Sequence, residues 1–136
     1  MAQTVLTSPE VAHKIGVAPR MPTLWAERGY LSPSVQDADG RGSQRLWSLD
    51  DVLHAYIVKM LIAHICTRDL RALNLFVRAH PKALQPGTVW RIDLTDRRIL
   101  RVQMVDTVSR ASAVRATSAG IFLIIEVDVV CAGLAL

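Results

Sequence analysis

Apolar positions recur along this chain in two rhythms, and the change between them divides it. Leu49, Val52, Leu53, Tyr56, Ile57, Met60, Leu61, His64 and Ile65 fall on one face of a helix. Val58 and Ile62 lie off that stripe and widen it, which predicts a second element against the helix. Ser48-Leu49-Asp50-Asp51 opens the helix as a capping box, with Asp where Glu is usual. Each buried side chain of this size contributes roughly 1.5–3 kcal/mol, so the helix is expected to be the mechanical core of its domain. Thr67 is expected to cap a following helix through Leu70, Leu73 and Val77, which Pro81 ends.

Past Pro86-Gly87 the period becomes two. Trp90, Ile92 and Leu94 face one way and Arg91 and Asp93 the other, as in a half-buried strand. Thr95-Asp96-Arg97-Arg98 then makes a turn, and Leu100, Val102 and Met104 repeat the alternation, predicting a β-hairpin. Asp106 to Ala119 fits a helix by its Val108, Ala111 and Val114, or a loop by its Ser and Thr content. Ile121, Leu123, Ile125, Val127 and Val129 form one apolar face of a last strand, expected to run to Val130. Its other face holds Phe122, Ile124, Glu126, Asp128 and Val130.

Ahead of the long helix, Ser8 is expected to cap a short helix in which Pro9 and Glu10 suit the first turn. Gly16 stops it, and a second short helix runs to Gly29. Two short helices joined by a few residues outline a helix-turn-helix, whose second helix lies in the major groove of DNA. Gly40-Arg41-Gly42-Ser43-Gln44-Arg45-Leu46-Trp47 then suits a hairpin wing.

These residues carry a resemblance. Glu10-Val11-Ala12, Gly16-Val17, Trp25, Gly29-Tyr30-Leu31-Ser32-Pro33, Arg45-Leu46-Trp47-Ser48 and Asp51-Val52 resemble the DNA-binding domain of the MerR family of bacterial transcription regulators. Ile65 to Leu73 resembles the family's helix after the long core helix, and the similarity ends near Asn74. Where the family usually has Thr-Leu-Arg, this chain has Met21-Pro22-Thr23, so the arginine that contacts DNA from the recognition helix is replaced by Thr23. Pro22 either begins that helix or bends its first turn. The family's long dimerisation helix has no counterpart after Leu73, nor do the cysteines its metal sensors carry there.

Charge adds little to this picture. The 136 residues carry 16 basic and 12 acidic side chains, a net +4, and are 51% hydrophobic. Residues 1–80 hold nine basic and seven acidic groups and residues 81–136 hold seven and five, so a DNA footprint must come from local placement. No basic region leads into an apolar run at the start, and Glu126 and Asp128 interrupt the most apolar stretch, so neither a secretory signal nor a membrane span is expected. Cys66 and Cys131 are far apart and read as free thiols of a cytoplasmic protein.

The resemblance and the phosphate logic together select DNA-contact candidates. Arg45 lies on the family's wing motif, with Arg41 as its companion and Trp47 in place of a usual tyrosine. Arg20 and Thr23 are candidates for the major groove, and Lys14 and Arg28 for phosphates at its flanks. Trp25 is expected in the core. His13, His54, His64 and His80 have no pair at helical ligand spacing, and no nucleophile motif occurs, so no metal, cofactor or enzyme activity is implied.

The reading is an α+β chain. A winged helix-turn-helix DNA-binding domain at residues 1–80 precedes a small antiparallel β-containing module at 81–136. The expected function is transcription regulation on double-stranded DNA, as a nucleoid-associated homodimer, with RNA polymerase or another protein as a further partner. Ile121, Phe122, Leu123, Ile124 and Ile125 are the candidate dimer interface, because a three-stranded sheet in so short a chain does not easily cover two apolar faces. The alternative for that strand is packing under the Leu49–Ile65 helix within one chain. The alternative function is a protein-interaction or small-ligand module for which the winged helix is only a scaffold.

Overall fold

The computed structural model describes residues 4–36, 44–113 and 121–134. A two-residue strand β1 (Leu6–Thr7) leads directly into α1 (Ser8–Ile15). The N-cap is Thr7 rather than Ser8: the Thr7 hydroxyl accepts from Glu10 N at 3.4 Å while Glu10 Oε1 accepts from Thr7 N at 3.1 Å. The Thr7 N–H and the Thr7 hydroxyl, which donates to the same Oε1 at 2.9 Å, hold the Glu10 carboxyl below its ordinary range. Gly16, at φ +74°, ends α1, and the Val17 N–H returns to Ala12 O at 3.0 Å. Helix α2 (Met21–Glu27) carries Pro22 as its second residue, where the missing N–H has no intrahelical acceptor to lose, so the bent-helix alternative is not realised.

Strand β2 (Leu46–Trp47) pairs with β1 and enters α3 (Leu49–Leu61) through the Ser48–Asp51 capping box. In α3 Val52, Leu53, Ala55, Ile57, Val58 and Leu61 are all buried, so the helix is covered on more than one side. Helix α4 (Thr67–Ala79) starts one residue earlier than Thr67 capping would place it; Cys66 is the N-cap and makes no side-chain cap bond.

The second half is an antiparallel sheet in the order β4-β3-β5, with β3 (Val89–Thr95), β4 (Arg98–Val105) and β5 (Ile121–Glu126). Asp96 and Arg97 turn the β3–β4 hairpin at φ +47° and +64°, the pair of left-handed residues a tight two-residue turn requires. The ladder shifts between Asp93 and Leu94: Asp93 faces Arg101 but Leu94 faces Ile99. Leu100 is the extra residue and is exposed, whereas Ile99 packs against the core in its place.

Two expectations for this half are corrected. Both faces of β3 are covered, and Arg91 and Asp93 are buried. The guanidinium of Arg91 bonds Asp93 Oδ1 at 3.0 Å and Ala111 O at 2.7 Å, under α5 (Val108–Ala113) and beside the Phe122 ring at 4.0 Å. The last strand stops at Glu126, and Val127–Leu134 is a helix, α6. Glu126 faces Val89, the first residue of β3, and one last bond, Val127 N to Thr88 O at 3.1 Å, closes the ladder; a helix satisfies the following backbone internally. Asp128 in its first turn accepts from Gly87 N at 2.9 Å. The stretch Asp106–Ala119 begins as α5, and residues 114–120 lie outside those described.

Buried apolar side chains form one cluster from α1 through Trp25, Trp47, Ile57, Trp90 and Ile92 to Val127 and Val130. Helix α6 packs on α3, the cover that Val58 and Ile62 predict. Among the described residues no helix is long and apolar enough to cross a membrane.

Candidate nucleic-acid interface

Helices α1 and α2 are joined by the five residues from Gly16 to Arg20, and their mutual angle is held from behind. Trp25 on α2 is buried, as expected, and Lys59 on α3 donates to the Ile15 carbonyl at 2.7 Å. That ammonium sits at the C-terminus of α1, where the helix dipole favours a cation. A Cβ at Gly16 would come 3.5 Å from the same ammonium.

With Trp25 and Pro22 turned inward, α2 presents Arg20, Thr23, Leu24 and Glu27 outward. These four share a groove of about 630 Å³ with Ser8 and Pro9 at the start of α1. Arg20 is exposed and Thr23 half-buried, so the structure brings the two groove candidates to one surface. Glu27 is the acid in that groove. Arg28, exposed, follows the helix, and Lys14 lies apart, beside Glu10 and His13 in a shallower depression on α1.

The wing candidates divide. Arg45 is half-buried just before β2, and Arg41 lies outside the described residues. Leu46 pairs with Thr7 on one side and with Gln36 on the other, the latter through two bonds of 2.8 and 3.1 Å. The Gln36–Leu46 antiparallel bridge therefore extends the β1–β2 pairing by one position. Trp47 is corrected from a DNA contact to a core residue: it is 0% exposed, and its indole N–H donates to Ser8 Oγ at 2.9 Å. An indole at the foot of the hairpin reads the same in sequence whichever side it faces.

The chain is similar to mycobacterial HTH-type transcriptional regulators. It is 39% identical over 54 residues to an uncharacterized HTH-type transcriptional regulator of Mycobacterium bovis and to two of that description in Mycobacterium tuberculosis. Each match covers 40% of this chain and 24% of the relative, so the chain spans much less than the length of the curated proteins it matches. No family model matches the chain.

The dimer candidates separate by face. Ile125 and Leu123 stand opposite Trp90 and Ile92; Ile125 is buried and Leu123 packs on the same core, so both are accounted for within the chain. Ile121 shares their register, opposite Leu94. Phe122 and Ile124 are on the other face, where Phe122 is exposed and Ile124 half-buried, and β5 is an edge strand.

Two polar residues, Asp51 and Asn74, fix this surface through distant partners that the sequence does not name. Asp51 Oδ2 accepts from Ser34 N, Ser34 Oγ and Ser48 N at 2.8–2.9 Å. Asn74 Nδ2 bonds Gly29 O and Ser32 Oγ, both at 3.0 Å. Both residues sit on the inward side of amphipathic helices, and only the fold reveals what they meet. A second concavity, of about 630 Å³, lies between Ser32–Ser34, the start of α3 and the end of α4; the buried His54 and Asn74 border it.

Proposed function

We propose that this chain is a DNA-binding transcription regulator of the MerR type, with α2 in the major groove and the 36–46 hairpin as a basic wing. The observation that carries the reading is the combination of a helix-turn-helix whose outer face offers Arg20 and Thr23 with a hairpin base paired to β1. The likeness to mycobacterial HTH-type transcriptional regulators supports a DNA-binding regulator in general. In this reading Arg45 and Arg41 hold phosphates, Lys14 and Arg28 flank the groove, and Thr23 stands where the family's arginine reads bases. A wing of arginines and a recognition helix with Thr23 in place of the family's arginine predict affinity dominated by phosphate contacts.

Fluorescence anisotropy on a labelled duplex, between 50 and 200 mM salt, tests this. The wild type should bind with a steep salt dependence, and Arg45→Ala with Arg41→Ala should lower the logarithmic salt slope by about 2, about 0.9 per phosphate lost. A folded double variant with wild-type affinity and slope removes the wing from the interface. A wild type that binds no duplex at 50 mM salt removes the function.

The same reading takes the regulator to be a nucleoid-associated, cytoplasmic homodimer joined through the β5 edge, with Phe122 and Ile124 at the contact. Phe122→Glu should convert a dimer to a monomer in sedimentation, and a wild type that is monomeric at micromolar concentration rules the dimer out. The division at residue 80 belongs to this proposal too, with the sheet as the assembly module and RNA polymerase as a further protein partner. Small-ligand sensing is the second reading, favoured by the concavity beside His54 and Asn74.

A further inference from the structure

The β3–β4 turn reaches the end of α2 by way of α4. The carbonyl of Arg97 accepts from Cys66 N at 2.9 Å, immediately before the first turn of α4. One turn further in, buried Asp69 accepts from Ile99 N at 2.7 Å and from Arg98 Nε at 3.0 Å. Burial pushes the Asp69 carboxyl up, but the Ile99 N–H and Arg98 outweigh it and hold the group below its ordinary range, ionised at neutral pH. The turn is therefore clamped to the helix by one carboxylate and one backbone bond.

That clamp gathers arginines from three separate parts of the sequence. Arg68 and Arg71 are exposed on α4, three residues apart and so neighbours along its surface. The stem of Arg71 passes 3.5 Å from where a Cβ on Gly29 would lie, and Gly29 follows Arg28 at the end of α2. Arg97 is exposed at the tip of the turn. From tip to helix end the order is Arg97, Arg68, Arg71, Arg28. The α4 portion, Cys66 to Arg71, spans roughly 7 Å at 1.5 Å per residue.

The balance of charge along this strip is one-sided. No ion pair joins the guanidinium of Arg28, Arg68, Arg71 or Arg97 to another described residue, whereas Arg98 is neutralised by Asp69. The exposed acids beside it are Asp96 in the turn and Glu27 at the end of α2. Four exposed guanidinium groups without an ion pair among the described residues, on elements that adjoin the helix assigned to the major groove, carry the charge that a phosphate backbone attracts.

We infer that the β3–β4 turn and the first turns of α4 form a second phosphate-binding strip for duplex DNA, so that the C-terminal sheet contributes directly to the DNA interface. The inference rests on the reading that α2 faces DNA. It assigns Arg97 and Arg68 the outer contacts and Asp69 the task of positioning the turn.

The test is the salt dependence of duplex binding by the full chain, for the wild type, for Arg68→Gln and Arg97→Gln singly and together, for Asp69→Asn, and for Arg110→Gln on α5 as a control matched in charge to each single change. The double variant should bind roughly tenfold more weakly or worse at 100 mM salt and lose about 2 from the salt slope. Asp69→Asn keeps all four arginines yet should weaken binding by loosening the turn. Arg110→Gln should bind as the wild type does. Thermal midpoints identify any variant that unfolds; should the double variant do so, the single changes decide, each with an expected slope loss of about 0.9. Wild-type binding that is insensitive to Arg68 and Arg97 but sensitive to Arg45 overturns this inference and leaves the proposed function standing. A wild type without duplex binding overturns both.

Discussion

His54 should make the fold sensitive to mild acid. It sits on α3 with 5% of its surface exposed, and its Nε2 has no hydrogen-bond partner among the described residues. Burial pushes its pKa from 6.5 down to about 4. Between those two values the unfolded chain takes up a proton that the folded chain refuses. Stability is therefore fully present above pH 6.5 and declines as pH falls towards 4. At 1.36 kcal/mol per unit, the shift corresponds to about 2 kcal/mol lost between pH 7 and pH 5, and about 3 kcal/mol by pH 4. Urea unfolding followed by fluorescence of the buried Trp25, Trp47 and Trp90, at fixed protein concentration, reads this directly. His54→Leu keeps the volume and removes both the titration and the unpartnered nitrogen. Its stability should be nearly flat from pH 7 to 5, leaving it about 2 kcal/mol above the wild type at the lower end. A wild-type curve that is flat over that interval refutes the reasoning, as does an equal decline in the leucine variant.

Three further changes probe the helix-turn-helix and its support, each by thermal or urea unfolding. Trp47→Ala should cost about 3–5 kcal/mol, because the indole is fully buried; a loss under about 1 kcal/mol would return Trp47 to the surface. Gly16→Ala meets ordinary contact distances and keeps φ +74°, so backbone strain of about 1–2 kcal/mol is the whole expected effect, and an unchanged midpoint would contradict the left-handed cap. Pro22→Ala should change stability by less than about 1 kcal/mol, since the proline stands in the first turn; a gain near 3 kcal/mol would place it inside the helix.

What the sequence disclosed was chemistry between near neighbours. The Ser48–Asp51 cap, the Gly16 stop and the Asp96-Arg97 turn each depend on a few adjacent residues, and each forms where the pattern predicts. What it concealed depends on distant partners. The apolar run after Ile121 has no internal sign of where strand yields to helix; the start of β3 at Val89 decides it. Leu100 and Ile99 exchange roles because of a one-residue ladder shift opposite Leu94. Arg91 and Asp93 alternate as solvent residues would, and α5 covers them from a segment with no clear period of its own. At the candidate interface, Arg20 and Thr23 were legible from the motif. The approach of Arg71 to Gly29 joins positions 42 residues apart and leaves no trace in either local pattern.

The Asp51 junction has a consequence for how this molecule can diverge. One carboxylate oxygen receives both the Ser34 and the Ser48 backbone, so the chain leaves and re-enters the body at two points riveted together, with the Gln36–Leu46 bridge just beyond them. Both bonds are made by residues outside the connection itself. Doubling such a connection costs only about 0.6 kcal/mol of closure entropy. A longer connection between Gln36 and Leu46 is therefore expected to leave the Asp51 junction, and the α3 start that it caps, in place.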